Sequence, residues 1–288
     1  NPPFGVKWKK DKQDILDDTS GRFHKDMLPT IRDGAFLFLL HMISKMKPPQ
    51  EGGSSIAIVF NGSPGFNGDA GSGESKIRQY LIANDLIEAI IGLPKDLFYN
   101  TNIGTYVWVL RNKKSNERKG KIQLVNAVEF SEKMPKSLGK KTKYISDKQI
   151  KQICLIYNSF KESEHCKIFD TIDFGYTKVH LELTDVNEDG NPKKETVIKK
   201  IKGQKREVTQ NVKISDSEYI PLKEDINEYL KREVEKPYKI KNKTIGYEIN
   251  FTQYFYKYTP LRKQEDVIKE FNDLEKENKT LLKDLGLL

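Results

Sequence analysis

The sequence predicts an α/β fold: the second half of a layered sheet ending in an antiparallel strand pair, then a β-ribbon, then a helical carboxy-terminal tail. Three observations carry this. Short apolar, β-rich runs at Ser55 to Phe60, Ile87 to Leu93 and Thr105 to Arg111 are interleaved with helical periodicity. Beyond Phe169 strand-like alternation takes over, and the final segment returns to the apolar spacing of a helix.

The elements follow in order. Residues from Lys7 to Asp33 are polar with little periodicity and read as a long loop. From Gly34 to Lys47 the residues Phe36, Leu37, Leu39, Leu40, Ile43 and Met46 recur at helical spacing, and Pro48-Pro49 stop the helix. The run from Ser55 to Phe60 reads as a strand buried on both faces. A glycine-rich loop, Asn61 to Gly73, leads to a helix from Ser75 to Leu86. Between the strands Ile87 to Leu93 and Thr105 to Arg111 lies LPKDLFYNTNIG, and a further strand runs from Ile122 to Val128. Residues 145–166 have a helical apolar side. Phe174 to Leu183 and Glu195 to Val212 are expected to pair as one two-stranded ribbon through a turn at Asn187 to Asn191. After Pro260 a helix from Arg262 to Leu288 sets Val267, Phe271, Leu274, Asn278, Leu281 and Leu285 at near-heptad spacing, the seam of a helical contact. The expected divisions are 1–166, 167–260 and 261–288.

Composition narrows the partners. The 288 residues hold 36% apolar and 32% charged residues, so a modest core under a solvated surface is expected. The net charge of +9 favours a polyanion such as DNA. Cys154 and Cys166 lack metal-ligand spacing and read as reduced thiols of a cytoplasmic protein. No apolar run approaches a membrane span, and no metal site is expected. A chain opening on NPPF without an initiator methionine reads as a piece of something longer.

That opening tetrapeptide is the strongest chemical feature. An exocyclic amine on a purine or an amide nitrogen has a delocalised lone pair, so its alkylation needs acceptors that draw on its N–H groups and stabilise developing positive charge. The side-chain carbonyl of Asn1 supplies one acceptor and a backbone carbonyl of Pro2 or Pro3 another, held in place by the fixed φ of the prolines. Phe4 offers a face for a planar base or amide. Phe98, Tyr99 and Asn100 are candidates for the opposite wall of a base pocket, with Phe98-Tyr99 as core plugs the competing reading. Lys7, Lys9, Lys10, Lys199 and Lys200 are candidate DNA contacts, a solvated ribbon being the competing reading of the last two. The segment Gly68 to Lys76 imitates a phosphate loop but has Glu74 where a lysine is needed; a mobile closing loop is expected instead.

Taken together, NPPFG, DGAFLFLLHMISKM, IAIVFNGSPGFNGDAGSGESKIRQYL, IIGLPKDLFYNT and IGYEINFTQYFYKY resemble the modification subunits of type I restriction-modification systems. The resemblance implies a Rossmann-like class I methyltransferase that moves a methyl group from S-adenosylmethionine to N6 of a flipped adenine in DNA. It implies that Asn1, Pro2 and Phe4 hold and stack that base and that Phe98 belongs to the pocket. It also implies partners: a specificity subunit, a second modification subunit, a restriction/translocase subunit and double-stranded DNA, with the carboxy-terminal helix docking on the specificity subunit. The family's cofactor-binding residues are expected upstream of Asn1, which leaves this chain inactive alone. A non-catalytic assembly module and a protein glutamine N-methyltransferase are the alternatives.

Overall fold

A computed structural model describes residues 1–201, 204–258 and 260–286, except for the side chains of residues 199, 201 and 206. It divides the chain into two units, Asn1–Tyr254 and Phe255–Leu288.

The first unit opens on a loop and a short helix α1 (Lys12–Leu16), followed by α2 (Ala35–Ile43). Strand β1 (Ser55–Phe60), the single turn α3 (Ser63–Phe66), α4 (Gly73–Ala83), β2 (Ile87–Leu93), β3 (Thr105–Arg111) and β4 (Lys121–Asn126) follow. Next come a hairpin of β5 (Glu132–Leu138) and β6 (Lys141–Tyr144), helix α5 (Asp147–Ser159) and β7 (Cys166–Asp170). The five long strands form a mixed sheet in the order β1-β3-β2-β4-β7. Strand β3 runs antiparallel to both β1 and β2, so those two point the same way; β2 and β4 are parallel, and β7 is antiparallel to β4.

The expected pair β2–β3 is present, and β1 stands at the edge of the sheet. That position corrects its burial. Ile56, Ile58 and Phe60 are buried while Ser55 and Ala57 are exposed, because α2 covers one face only. Phe36 of α2, Phe60 of β1 and Trp108 of β3 meet edge to face, with centroids 5.6 to 6.1 Å apart. Such contacts add about 1 kcal/mol each to area burial.

The region read as helical over 145–166 is shorter. A capping box of Ser146 and Gln149 starts α5, and Phe160 ends it in a left-handed conformation with φ 45°. Cys166, itself buried, opens a strand instead, its Sγ accepting from Gln123 Nε2 at 3.2 Å, so the five-stranded sheet runs on through Asp170.

The ribbon expected from residues 174–212 is also different. Strand β8 (Gly175–Thr184) pairs with β11 (Lys213–Pro221) and β12 (Tyr238–Tyr247), while β9 (Lys194–Ile201) and β10 (Gln204–Asn211) form their own hairpin. Alternation alone cannot tell which strand pairs with which. Here the decisive residues are Val179, Leu181 and Leu183, which share a core with Ile220 and with Leu230 of α6 (Ile226–Glu233). The unit closes on the turn α7 (Phe251–Tyr254).

The second unit is the helix α8 (Gln264–Asp284). Val267, Phe271, Leu274, Leu281 and Leu285 of the predicted seam are all exposed. No described helix is long and apolar enough to cross a membrane.

Candidate active site

The amino-terminal loop is pinned from behind. Trp8 is buried; its Nε1 donates to Thr30 O at 2.8 Å and its backbone N to Ile31 O at 3.2 Å. Gly34 N donates to Val6 O at 3.0 Å. Pro2 is buried, and Gly5, with φ 64°, turns the chain after Phe4. Asn1 is left exposed, and among the described residues its amide makes no hydrogen bond.

Asn1, Pro2, Pro3 and Phe4 line an open cleft of about 710 Å³, and its other wall is Phe98, Tyr99, Asn100, Thr101 and Ile103. Residues more than ninety positions apart in sequence therefore face one space. The Phe4 and Phe98 rings lie 6.1 Å apart at 87°, so a flat ring laid on one meets the edge of the other. Asn61, directly after β1, completes the lining. The cleft thus opens beyond the carboxyl ends of β1 and β2, where α/β sheets bind ligands. Among the described residues no carboxylate, lysine, arginine or histidine side chain lines it. Its polar lining consists of amide, hydroxyl and main-chain groups, which suits an uncharged planar ligand that donates hydrogen bonds.

The aromatic wall is braced by the β5–β6 hairpin. Lys140 N donates to Tyr99 O at 2.9 Å, and Thr142 N and Lys143 N donate to Asp96 O at 3.1 and 3.2 Å. Gly139, with φ 62°, makes this approach possible, since a Cβ there would stand 2.7 Å from Tyr99 O.

The glycine-rich loop behaves otherwise. Arg78 of α4, fully buried, donates to the carbonyls of Pro64 at 3.0 Å, Asn67 at 2.8 Å, Gly68 at 3.4 Å and Tyr247 at 2.5 Å. Burial pushes its guanidinium down to about 10, with Glu248 the first of the opposing charges. Gly73 is pressed against the chain, because a Cβ there would lie 1.7 Å from Leu28 O. Glu74 is buried and accepts from Thr30 N at 2.7 Å. The mobile closing loop expected from the glycines is instead a braced structural turn.

A family model described as N-6 DNA Methylase matches residues 1–189. The chain belongs to the N-6 DNA methylase family. The resemblance carried by NPPFG and the later motifs is thereby borne out at the level of the family. The MjaIX methylase subunit of a type I restriction enzyme from Methanocaldococcus jannaschii is 27% identical over 166 residues, covering 57% of this chain and 28% of that protein. The MpnII type I methylase subunit of Mycoplasma pneumoniae is 30% identical over 164 residues, 56% of this chain and 27% of its own. Among solved structures, the type I restriction-modification system methyltransferase subunit from Streptococcus thermophilus is 28% identical, with a TM-score of 0.48 over 59% of this chain and 33% of its own. The matched stretch is under a third of the length of either curated relative.

Within this N-6 DNA methylase chain the sequence-predicted site residues separate into two groups. Asn1, Pro2, Pro3, Phe4, Phe98, Tyr99 and Asn100 come together in the cleft. The candidate DNA-contacting lysines do not line it: Lys7 lines a neighbouring hollow of about 320 Å³ that shares Pro3, and Lys9 and Lys10 are exposed beyond it. Lys200 is exposed on β9, and the side chain of Lys199 lies outside the described residues. Asn61 and Ile103 were not legible as site residues, although Asn61 directly follows a predicted strand end.

Proposed function

We propose that this chain supplies the base-binding corner of an adenine-specific (N6) DNA methyltransferase, the modification subunit of a type I restriction-modification system. The observation that carries the reading is the uncharged cleft in which the NPPF loop faces the aromatic loop of Phe98. In this proposal an adenine turned out of the duplex enters the cleft with its ring against Phe4. Its amino N–H groups donate to the Asn1 amide oxygen and to a carbonyl of Pro2 or Pro3. These acceptors hold the nitrogen lone pair toward the incoming methyl group and stabilise the positive charge that develops on nitrogen. The proton lost after alkylation leaves to water, since among the described residues the cleft lining has no carboxylate, histidine or lysine to take it.

The methyl donor assigned to the complete enzyme is S-adenosylmethionine. The described residues do not fit it: the cleft lining has no carboxylate for a ribose, and Arg78, Gly73 and Glu74 fill the glycine-rich loop. The acceptor side is therefore what this chain contributes, and alone it is expected to be inactive. In the same reading β1, β3 and β2 are the second half of a Rossmann-like sheet, and the enzyme is cytoplasmic. The exposed apolar stripe of α8 docks on the specificity subunit, alongside a second modification subunit and a restriction/translocase subunit.

The test is labelled methyl transfer by the full-length protein assembled with its specificity subunit. The expected product is N6-methyladenine in duplex DNA. Label on a protein glutamine instead would move the assignment to amide methylation. Assembly with no transfer to either would leave a scaffold.

A further inference from the structure

The β5–β6 hairpin carries an electrostatic conflict. It holds Lys133, Lys136, Lys140, Lys141 and Lys143 against a single carboxylate, Glu132. That carboxylate is taken: Tyr144 Oη donates to it at 2.7 Å, and hydrogen bonds from Ser146 first and Tyr144 second hold its pKa below the usual range. None of the five lysines joins an ion pair among the described residues. Lys133 stands directly opposite Lys143 across the two strands, an arrangement that is destabilising for like charges. Lys141, two residues from Lys143, projects to the same face about 7 Å further along. Its Nζ lies 5.3 Å from the centre of the Tyr99 ring.

Position gives this conflict its meaning. The same hairpin bonds through its main chain to Asp96 and Tyr99, so Lys140, Lys141 and Lys143 stand behind the aromatic wall of the cleft, with Lys133 across the strands from Lys143. The β9–β10 hairpin is also lysine-rich, but among the described residues it makes no main-chain hydrogen bond to the loop of residues 96–103.

We propose that the Glu132–Tyr144 hairpin is a phosphate clamp: Lys133, Lys141 and Lys143 contact the DNA backbone beside the base that enters the cleft. The repulsion between Lys133 and Lys143 is relieved when phosphate lies between them. Because the hairpin's main chain holds Tyr99, backbone contact and base-pocket wall share one support. The inference rests on the DNA methyltransferase reading above and adds the residues that grip the strand.

The test is the salt dependence of duplex binding by the full-length enzyme with its specificity subunit, comparing the parent with Lys133→Ala/Lys143→Ala. Each lost phosphate contact removes about 0.9 from the slope of log affinity against log salt. The double variant should therefore be shallower by about 2, and binding near physiological salt weaker by about tenfold. Methyl transfer at saturating DNA should stay within about twofold of the parent, and Tm should be equal or higher. The control Lys151→Ala/Lys161→Ala, removing equal charge from and beyond α5, should leave the slope unchanged. An unchanged slope in the hairpin variant, an equal loss in the control, or a lower Tm would each overturn the clamp while DNA methylation by the parent still stands. A parent enzyme that neither binds nor methylates DNA would instead overturn the underlying functional reading.

Discussion

In the NPPF loop the Asn1 amide faces an open cleft with no hydrogen bond among the described residues, whereas in the glycine-rich loop three main-chain carbonyls converge on the buried Arg78 guanidinium. Both loops punctuate the sequence with glycine or proline, and both follow the pattern of a functional turn. Their polar atoms separate them. A loop that is to bind a ligand leaves acceptors unsatisfied at a wetted surface, where the cost is small, and fixes the backbone behind them, as Trp8 and Gly34 do here. A loop that holds the fold together closes its hydrogen bonds internally, and its glycines serve close approach, as Gly73 does against Leu28.

The comparison breaks most sharply at Arg78. Replacing it in Arg78→Ala leaves the buried Pro64 carbonyl and three partly buried ones without their donor and a cavity behind, a loss of about 4 kcal/mol seen as a large fall in Tm. Arg78→Lys should recover little, because one ammonium cannot span the four carbonyls that the guanidinium reaches. A stable, fully folded Arg78→Ala protein would show that the loop is not braced as described. In the cleft the signs reverse. Asn1→Ala should leave Tm unchanged yet slow methyl transfer by the complete enzyme about a hundredfold or more, with DNA affinity nearly constant. Lost affinity at unchanged turnover would contradict the assigned role. The smallest effect is expected at Phe98→Ala, which removes the ring meeting Phe4 at 87°. A drop of about tenfold in kcat/KM with a slight loss of stability is expected, and an effect on Tm alone would make Phe98 a packing residue.

Local encoding explains what the sequence made legible. The strands Ser55–Phe60, Ile87–Leu93 and Thr105–Arg111 were readable to the residue, because each is a short apolar run rich in β-branched or aromatic residues with Asn or Pro directly after it. Pairing was not local. Phe174 to Leu183 looked like one arm of a ribbon with the segment after Glu195, yet its partners are β11 and β12, brought there by a core shared with Leu230. The end of α5 at Phe160 escaped because a left-handed phenylalanine has no sequence mark; Arg118 stacks over its ring at 4.3 Å. The NPPF motif pointed to a family, and that family holds for residues 1–189. Its structural counterpart was hidden. Arg78 sits on the apolar face of α4 beside Ile77, Leu81 and Ile82, and a charge on a buried stripe was the sign available.

The most direct test of the base-gripping role of the NPPF corner is a structure of the full-length enzyme and its specificity subunit on duplex DNA. The account predicts an everted adenine in the cleft, its amino nitrogen about 3 Å from the Asn1 amide oxygen and from a carbonyl of Pro2 or Pro3, its ring against Phe4. An everted base seated elsewhere, with Asn1 remote from its amino group, would contradict it.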